Sequence, residues 1–257
     1  MTNDKPSEKW IDTRLTEEEM NFLWQIISEE NKKDVAKTLA GNISKSELIV
    51  DKDNWFFETA LKKLTERLFY RDWNNYYRYH IEKEEPPPKF EMGQLWVNYQ
   101  KKHEFNPLHS HSRLYSFVVF MKIPTHWKEQ HALPFSANSN SPHASDFQFV
   151  WPSEEGQSNR IFTQNFPLSS KDEGRMLFFH ASLKHMVYPF YGTEEERITI
   201  SGNIALINPN PQDEEDEVVE LSGDVYEEKE EILKMLEKSI KTTKKELEWM
   251  KKQREKK

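Results

Sequence analysis

The 257-residue chain contains no cysteine. That excludes disulfides, thiolate zinc sites, iron–sulfur clusters and a cysteine nucleophile, and it fits a reducing compartment such as the cytoplasm. Glycine is scarce, at seven residues, and neither G-x-G-x-x-G nor G-x-x-x-x-G-K occurs, so no phosphate-cradling loop is expected. No apolar run approaches the roughly 20 residues that cross a bilayer. The start, Met1 to Pro6, is polar rather than leader-like. Basic charge is not in excess: a formal charge of −8 argues against broad binding to a nucleic-acid backbone. The expectation is a soluble, cytoplasmic protein with neither a membrane nor a nucleic-acid partner.

Aromatic residues are plentiful. Eight Trp and sixteen Phe supply a large core although 31% of the residues are charged. Residues 15–80 read as helical. Thr16-Glu17-Glu18-Glu19 has the form of a capping box, and Met20, Leu23, Trp24 and Ile27 follow at helical spacing. A second helix is expected from near Asp53-Asn54, burying Phe57, Ala60, Leu61, Leu64 and Leu68. Pro86-Pro87-Pro88 then reads as an extended linker.

From Glu91 to Ile207 the pattern changes. Gln94–Gln100, Leu114–Pro124, Asp146–Trp151, Arg160–Leu168, Arg175–Phe179 and Ile198–Leu206 are short runs of β-branched and aromatic residues between turn-like stretches. Strands without alternating helices favour an antiparallel sandwich or jelly roll. The stretch Thr125 to Ser145 reads as a long loop of the kind that often covers a site. After the acidic run Asp213 to Glu217, residues 224–257 carry Val225, Ile232, Leu236, Ile240, Thr243, Leu247 and Met250, which approximate a 3-4 spacing. A long C-terminal helix is expected there, packed on its own domain or pairing two copies as a homo-oligomer. The domain plan is therefore 1–88, a helical region packing on the core; 89–210, the strand core; and 211–257, an acidic hinge and coiled-coil-like helix.

Within the strand region, His109-Ser110-His111 opens the run Leu114 to Met121. On an extended backbone two imidazoles one residue apart point the same way. A second strand, Met176 to Phe179, leads to His185, and Arg197 follows at the head of the next. Three imidazoles suit iron, and a guanidinium fork suits a carboxylate. Read without further context, Arg197 would pair with its neighbours Glu194, Glu195 and Glu196. His103 and His180 read as surface or supporting residues.

Several ordered motifs here resemble the iron(II)- and 2-oxoglutarate-dependent dioxygenases, and among them a group found in phage and bacterial genomes. They are Trp96-Val97-Asn98-Tyr99, Asn106-Pro107-Leu108-His109-Ser110-His111, Ser116-Phe117-Val118-Val119 running to Ile123-Pro124, Gly174-Arg175-Met176-Leu177-Phe178-Phe179, His185-Met186-Val187-Tyr188-Pro189-Phe190 and Arg197-Ile198-Thr199-Ile200-Ser201-Gly202-Asn203. They cover about 91–207. The resemblance implies an α+β fold built on a double-stranded β-helix, a jelly roll, flanked by the N-terminal helices.

It also implies Fe(II), 2-oxoglutarate as co-substrate, and O2, acting on an unknown small-molecule or peptide substrate. The family's triad is His, a carboxylate two residues on, and a distal His. His109 and His185 match the histidines, Arg197 matches the residue that grips the distal carboxylate of 2-oxoglutarate, and Thr199 takes the place of the hydroxyl beside it. Tyr99 is a further candidate donor to the co-substrate. His111 stands where the carboxylate is expected. It can ligate as a third imidazole, leave the position to water or an anion, or mark a lost metal site; three-His ligation is the reading preferred, with no catalytic group beyond the ligands. Such a site is expected to weaken as its imidazoles protonate near or below pH ~6.5. The loop 125–145 and the N-terminal helices are expected to frame the substrate. Two alternatives stand beside this: a cupin-like three-His metalloenzyme that does not use 2-oxoglutarate, and a degenerate, non-catalytic binding domain.

Overall fold

The capping box closes as the sequence suggests. The Glu19 amide donates to Thr16 Oγ1 at 3.2 Å, and Glu19 Oε2 accepts from the Thr16 amide at 2.6 Å. Helix α1 (Glu17–Ile27) then buries Leu23, Ile26 and Ile27. The second helix, α2 (Lys62–Asp72), is entered through a π-helical turn over Phe57–Leu61. Its start is fixed by Asp51, whose two carboxylate oxygens accept from the amides of Phe56 and Phe57 at 2.8 and 2.9 Å.

The computed structural model describes residues 9–30, 32–72, 88–153 and 160–207. The chain divides into two units, Met1–Glu214 and Glu215–Lys257, and the described residues all belong to the first. The acidic hinge and the helix expected over 224–257 lie outside them, as does most of the proline linker.

Ten strands are present among the described residues: β1 (Trp10–Arg14), β2 (Ser46–Ile49), β3 (Lys89–Gln100), β4 (Asn106–His109), β5 (Tyr115–Lys122), β6 (Phe147–Pro152), β7 (Ile161–Phe166), β8 (Arg175–His180), β9 (Lys184–Val187) and β10 (Arg197–Ile207). Six of these are the strands read from the sequence. A six-stranded sheet runs β1-β8-β5-β10-β3-β2 and a four-stranded sheet runs β4-β9-β6-β7, with all pairings antiparallel. From β3 to β10 the chain passes repeatedly from one sheet to the other.

Side chains alternate between the two faces of the larger sheet. Val97, Val119, Phe178 and Ile200 meet Leu23, Ile26, Phe56 and Leu68 of the helical layer. Val118, Phe120, Leu177 and Phe179 meet Phe147, Phe149 and Phe166 of the smaller sheet. A strand covered on both sides is apolar on both faces, which is why Phe117 to Met121 reads as an unbroken hydrophobic run rather than an alternating one.

The N-terminal region differs from the all-helical expectation. It contributes β1 along β8 and β2 along β3, the two outermost strands of the larger sheet. The loop after β5 contains two short helices, α3 (Trp127–His131) and α4 (Pro134–Ala137). No described helix is long and apolar enough to cross a membrane.

Candidate metal centre and co-substrate cavity

His109 and His185 face each other directly across the β4–β9 pair. Their rings lie 4.2 Å apart between centroids, and the His111 ring stands 5.1 and 5.2 Å from the other two. One ligand atom from each falls within 4.8 Å of the others. His111 is not on the strand, so strand alternation does not aim it. Its backbone amide instead donates to the Ala181 carbonyl at 2.8 Å, just after β8.

Two rings are fixed in one tautomer. His109 Nδ1 lies 2.7 Å from the Pro107 carbonyl, and His185 Nδ1 lies 2.9 Å from that of Leu183. A carbonyl only accepts, so each Nδ1 carries the proton and each Nε2 keeps its lone pair, which is the form a metal needs. Stacking on Phe147, at 5.8 Å, further orients His185.

Burial keeps these rings neutral. It lowers the pKa of His109, with hydrogen bonds to the backbone of Pro107 and His185 opposing. It lowers His111 to about 4 and His185 to about 3, aided in each case by the charge of neighbouring histidine. The weakening expected near pH 6.5 is thereby moved to lower pH. In the metal-free protein the sign follows from linkage. The unfolded chain binds protons near pH 6.5 and the folded one resists them, so stability held above pH ~6.5 is lost progressively as pH falls toward the folded values. The urea midpoint of the apo-protein should fall between pH 6.5 and 4, and His185→Phe should flatten that slope. A wild-type midpoint constant over this range would contradict the burial argument.

The three histidines open on a narrow enclosed cavity of about 50 Å³ between the sheets. Arg197, which is 1% exposed, lines the same cavity. The β3–β10 register places Arg197 opposite Gln100, Thr199 opposite Asn98 and Ser201 opposite Trp96, and all six line the cavity. Arg197 does not pair with the acidic neighbours that sequence alone would have assigned it. Glu194 and Glu195 pair instead with Lys102 and Lys122. The guanidinium lies 5.1 Å above the Phe190 ring, Nη2 donates to the Ser145 carbonyl at 2.9 Å and to its hydroxyl, and Nη1 reaches Gln100 Oε1 at 3.4 Å. Nε is buried with no partner among the described residues. Burial lowers the pKa to about 9, opposed by the charge of Asp146, so the group remains cationic at neutral pH.

Tyr99 is not in this cavity. On β3 it points to the opposite face, among Leu95 and Val97. Lys45 Nζ lies 4.2 Å over its ring, and burial, with Glu47 bonded to its hydroxyl, raises its pKa to about 12. Asn98 and Gln100, one residue to either side, occupy the inward positions instead. Sequence reading passed over them, although two amides at period two in a buried strand are a usable signal.

The N-terminal helices lie behind the larger sheet and do not frame the cavity. That place is taken by Leu39, Ala40, Gly41 and Ile43, in a strap tied by the Asn42–Phe105 bridge. Gly41 passes so close to Asn106 Oδ1 that a Cβ there would collide with it.

Residues 94–203 match the family model described as "Putative 2OG-Fe(II) oxygenase". The match lies within the strand core, from β3 to β10. The residues of this core fit that family's cofactors: three imidazoles each bring a ring nitrogen within 4.8 Å of the others, and a buried cation with an unused donor lines the same cavity.

Among solved structures, the chain is similar to a Pseudomonas putida prolyl-4-hydroxylase at 12% identity and a TM-score of 0.44, over 78% of this chain and 94% of that one. It is similar to a 2OG-Fe(II) oxygenase family oxidoreductase from Burkholderia pseudomallei at 10% identity and a TM-score of 0.45, over 80% and 93%. A viral collagen prolyl hydroxylase from Paramecium Bursaria Chlorella virus-1 gives 13% identity and a TM-score of 0.40, over 76% and 95%. No curated protein matches the chain.

Proposed function

We propose that this protein is an iron(II)- and 2-oxoglutarate-dependent oxygenase acting as a hydroxylase, that His109, His111 and His185 hold its iron, and that Arg197 with Thr199 receives the distal carboxylate of 2-oxoglutarate. The observation that carries the reading is the placement of the three-histidine group and the unpaired buried guanidinium on one enclosed cavity. The alternation of β3 to β10 between two sheets also supports the double-stranded β-helix that the family fold implies.

Bound there, iron(II) would supply the oxidation: O2 is split between succinate, formed with CO2 from 2-oxoglutarate, and a hydroxyl on the substrate. The chain's own contributions are electrostatic and steric. Arg197 offers a preformed cation in a site shielded from water, where its attraction for a carboxylate is far stronger than at the surface. Asn98 Nδ2 lies 3.5 Å from Thr199 Oγ1 and can turn that hydroxyl toward the carboxylate. Phe147 and Phe179 keep the histidine end dry, and the Leu39–Ile43 strap closes the side toward Asn106. A neutral three-histidine set leaves the iron with one more unit of positive charge than the usual carboxylate-containing set.

Purified protein loaded anaerobically with Fe(II) and 2-oxoglutarate is expected to develop the weak visible charge-transfer band of the chelate. On exposure to air it should release succinate even without added substrate. His111→Ala should weaken iron binding by about tenfold or more, as loss of a ligand or its support does. Iron affinity unchanged in that variant would remove His111 from the ligand set. A cupin-like enzyme would bind iron without responding to 2-oxoglutarate, and a non-catalytic domain would bind neither.

A further inference from the structure

We propose that Ser145 and Asp146, braced by His131, are positioning residues that hold Arg197 at the angle required to take the distal carboxylate of a 2-oxo acid. This rests on the reading of Arg197 as the carboxylate clamp, and extends it to a loop expected from sequence only to cover the substrate.

The grip on the guanidinium comes almost wholly from one residue. Both hydrogens of Nη2 are taken by Ser145, one by its carbonyl at 2.9 Å and one by its hydroxyl, while the Gln100 contact on Nη1 is long at 3.4 Å. Two acceptors from the same residue fix the plane of the guanidinium as well as its position. Nε is left over, buried and without a partner among the described residues. It is the donor that a ligand can claim.

Ser145 can offer both acceptors because its backbone is left-handed, with φ 75°. A non-glycine residue adopts that conformation at a cost and needs surrounding contacts to hold it. Those contacts are present. The Ser145 amide donates to the Pro189 carbonyl at 2.9 Å, its hydroxyl lies 3.1 Å from Thr125 Oγ1, and the Tyr188 amide donates to the Asp146 carbonyl at 2.9 Å. The Asp146 carboxylate, 1% exposed, meets His131 Nε2 at 2.8 Å and stands 3.6 Å from His143 Nδ1. Helix α3, which carries His131, is joined to the chain leading into β10 by Gln130, whose amide makes two 2.9 Å hydrogen bonds with the Tyr191 backbone. The loop thus runs from β5 to β6 as a clasp on the co-substrate anchor.

The test compares two acids of equal carbon count: 2-oxoglutarate, and 2-oxopentanoate, in which a methyl replaces the distal carboxylate. Both would be titrated anaerobically into the Fe(II) protein, with the charge-transfer band as the binding readout. Ser145→Ala should weaken 2-oxoglutarate by about tenfold, the order expected for losing a hydrogen bond to a charged group, and leave 2-oxopentanoate within about twofold. His131→Phe should act similarly, and His131→Gln, whose amide can still donate to Asp146, should restore the wild-type ratio. Unchanged 2-oxopentanoate binding certifies that a variant is folded, and the His131 pair carries the test if Ser145→Ala does not fold. The proposal is overturned if the affinity ratio stays at the wild-type value in Ser145→Ala, or if His131→Gln fails to restore it. Wild-type protein that binds both acids equally overturns the Arg197 reading, and one that binds neither overturns the 2-oxoglutarate reading; the proposal falls with either.

Discussion

Arg197→Ala is expected to reduce 2-oxoglutarate affinity by about 100- to 1,000-fold, the loss typical of truncating one partner of a buried, hydrogen-bonded charge pair. The size follows from location. At 1% exposure the guanidinium has no water to compete with a ligand and forms no salt bridge among the described residues, so an incoming carboxylate meets a charge offset only at longer range by Asp146. Arg197→Lys should retain part of the affinity, because the charge stays while the fork does not. Isothermal titration of the Fe(II) protein under anaerobic conditions checks both variants. An Arg197→Ala protein that binds 2-oxoglutarate as tightly as wild type would show that the carboxylate sits elsewhere.

His185→Ala should produce the largest loss of iron, about 100-fold or more, since even supporting partners of a ligand are worth 10–100-fold. Among the three histidines it is the most constrained: 5% exposed, held by the Leu183 carbonyl, paired across the strands with His109 and stacked on Phe147. His111 lies off the strand, and its ring makes no hydrogen bond among the described residues. The expected order of loss is therefore His185→Ala and His109→Ala ahead of His111→Ala. Co(II) or Fe(II) titration ranks them. His111→Asp, which restores the family's carboxylate, should bind iron at least as well as wild type. If His111→Ala proves the most damaging of the three, the site is organised around the histidine that departs from the family pattern.

Strand identity in the core was legible because burial and alternation act on short local runs. Leu114 to Pro124 and Arg175 to Phe179 could only be strands covered on both faces. The six strands read from sequence are all present, several with ends shifted by a residue or more. The strands that carry His109 and His185 were harder: β4 and β9 are four residues each, and Pro107 interrupts the first. Their histidines were found by spacing and by resemblance to a family, not by a strand signal. The N-terminal strands were missed because Trp10-Ile11-Asp12-Thr13-Arg14 and Ser46-Glu47-Leu48-Ile49 gain their pairing from β8 and β3, at sequence distances no local pattern conveys. Tyr99 shows the converse. Its residue type suited the chemistry, but a one-residue phase on β3 sends it to the helical face and gives the cavity to Asn98 and Gln100. Ser145 lay beyond reach because its role depends on a left-handed backbone, which Ser does not advertise.

The stretch that matches the oxygenase family, 94–203, owns neither border of the larger sheet: β1 closes one side and β2 the other. It also lacks the helical layer over Val97, Phe117, Val119, Phe178 and Ile200. Cut out alone, it would present two open strand edges beside a bare apolar face, a combination that invites edge-to-edge aggregation. The family-matching stretch is therefore not a portable module. Any recombination or gene fusion that keeps this fold is expected to carry the segment from β1 to α2 with it, so the two parts are bound to a common inheritance although only one of them matches the family.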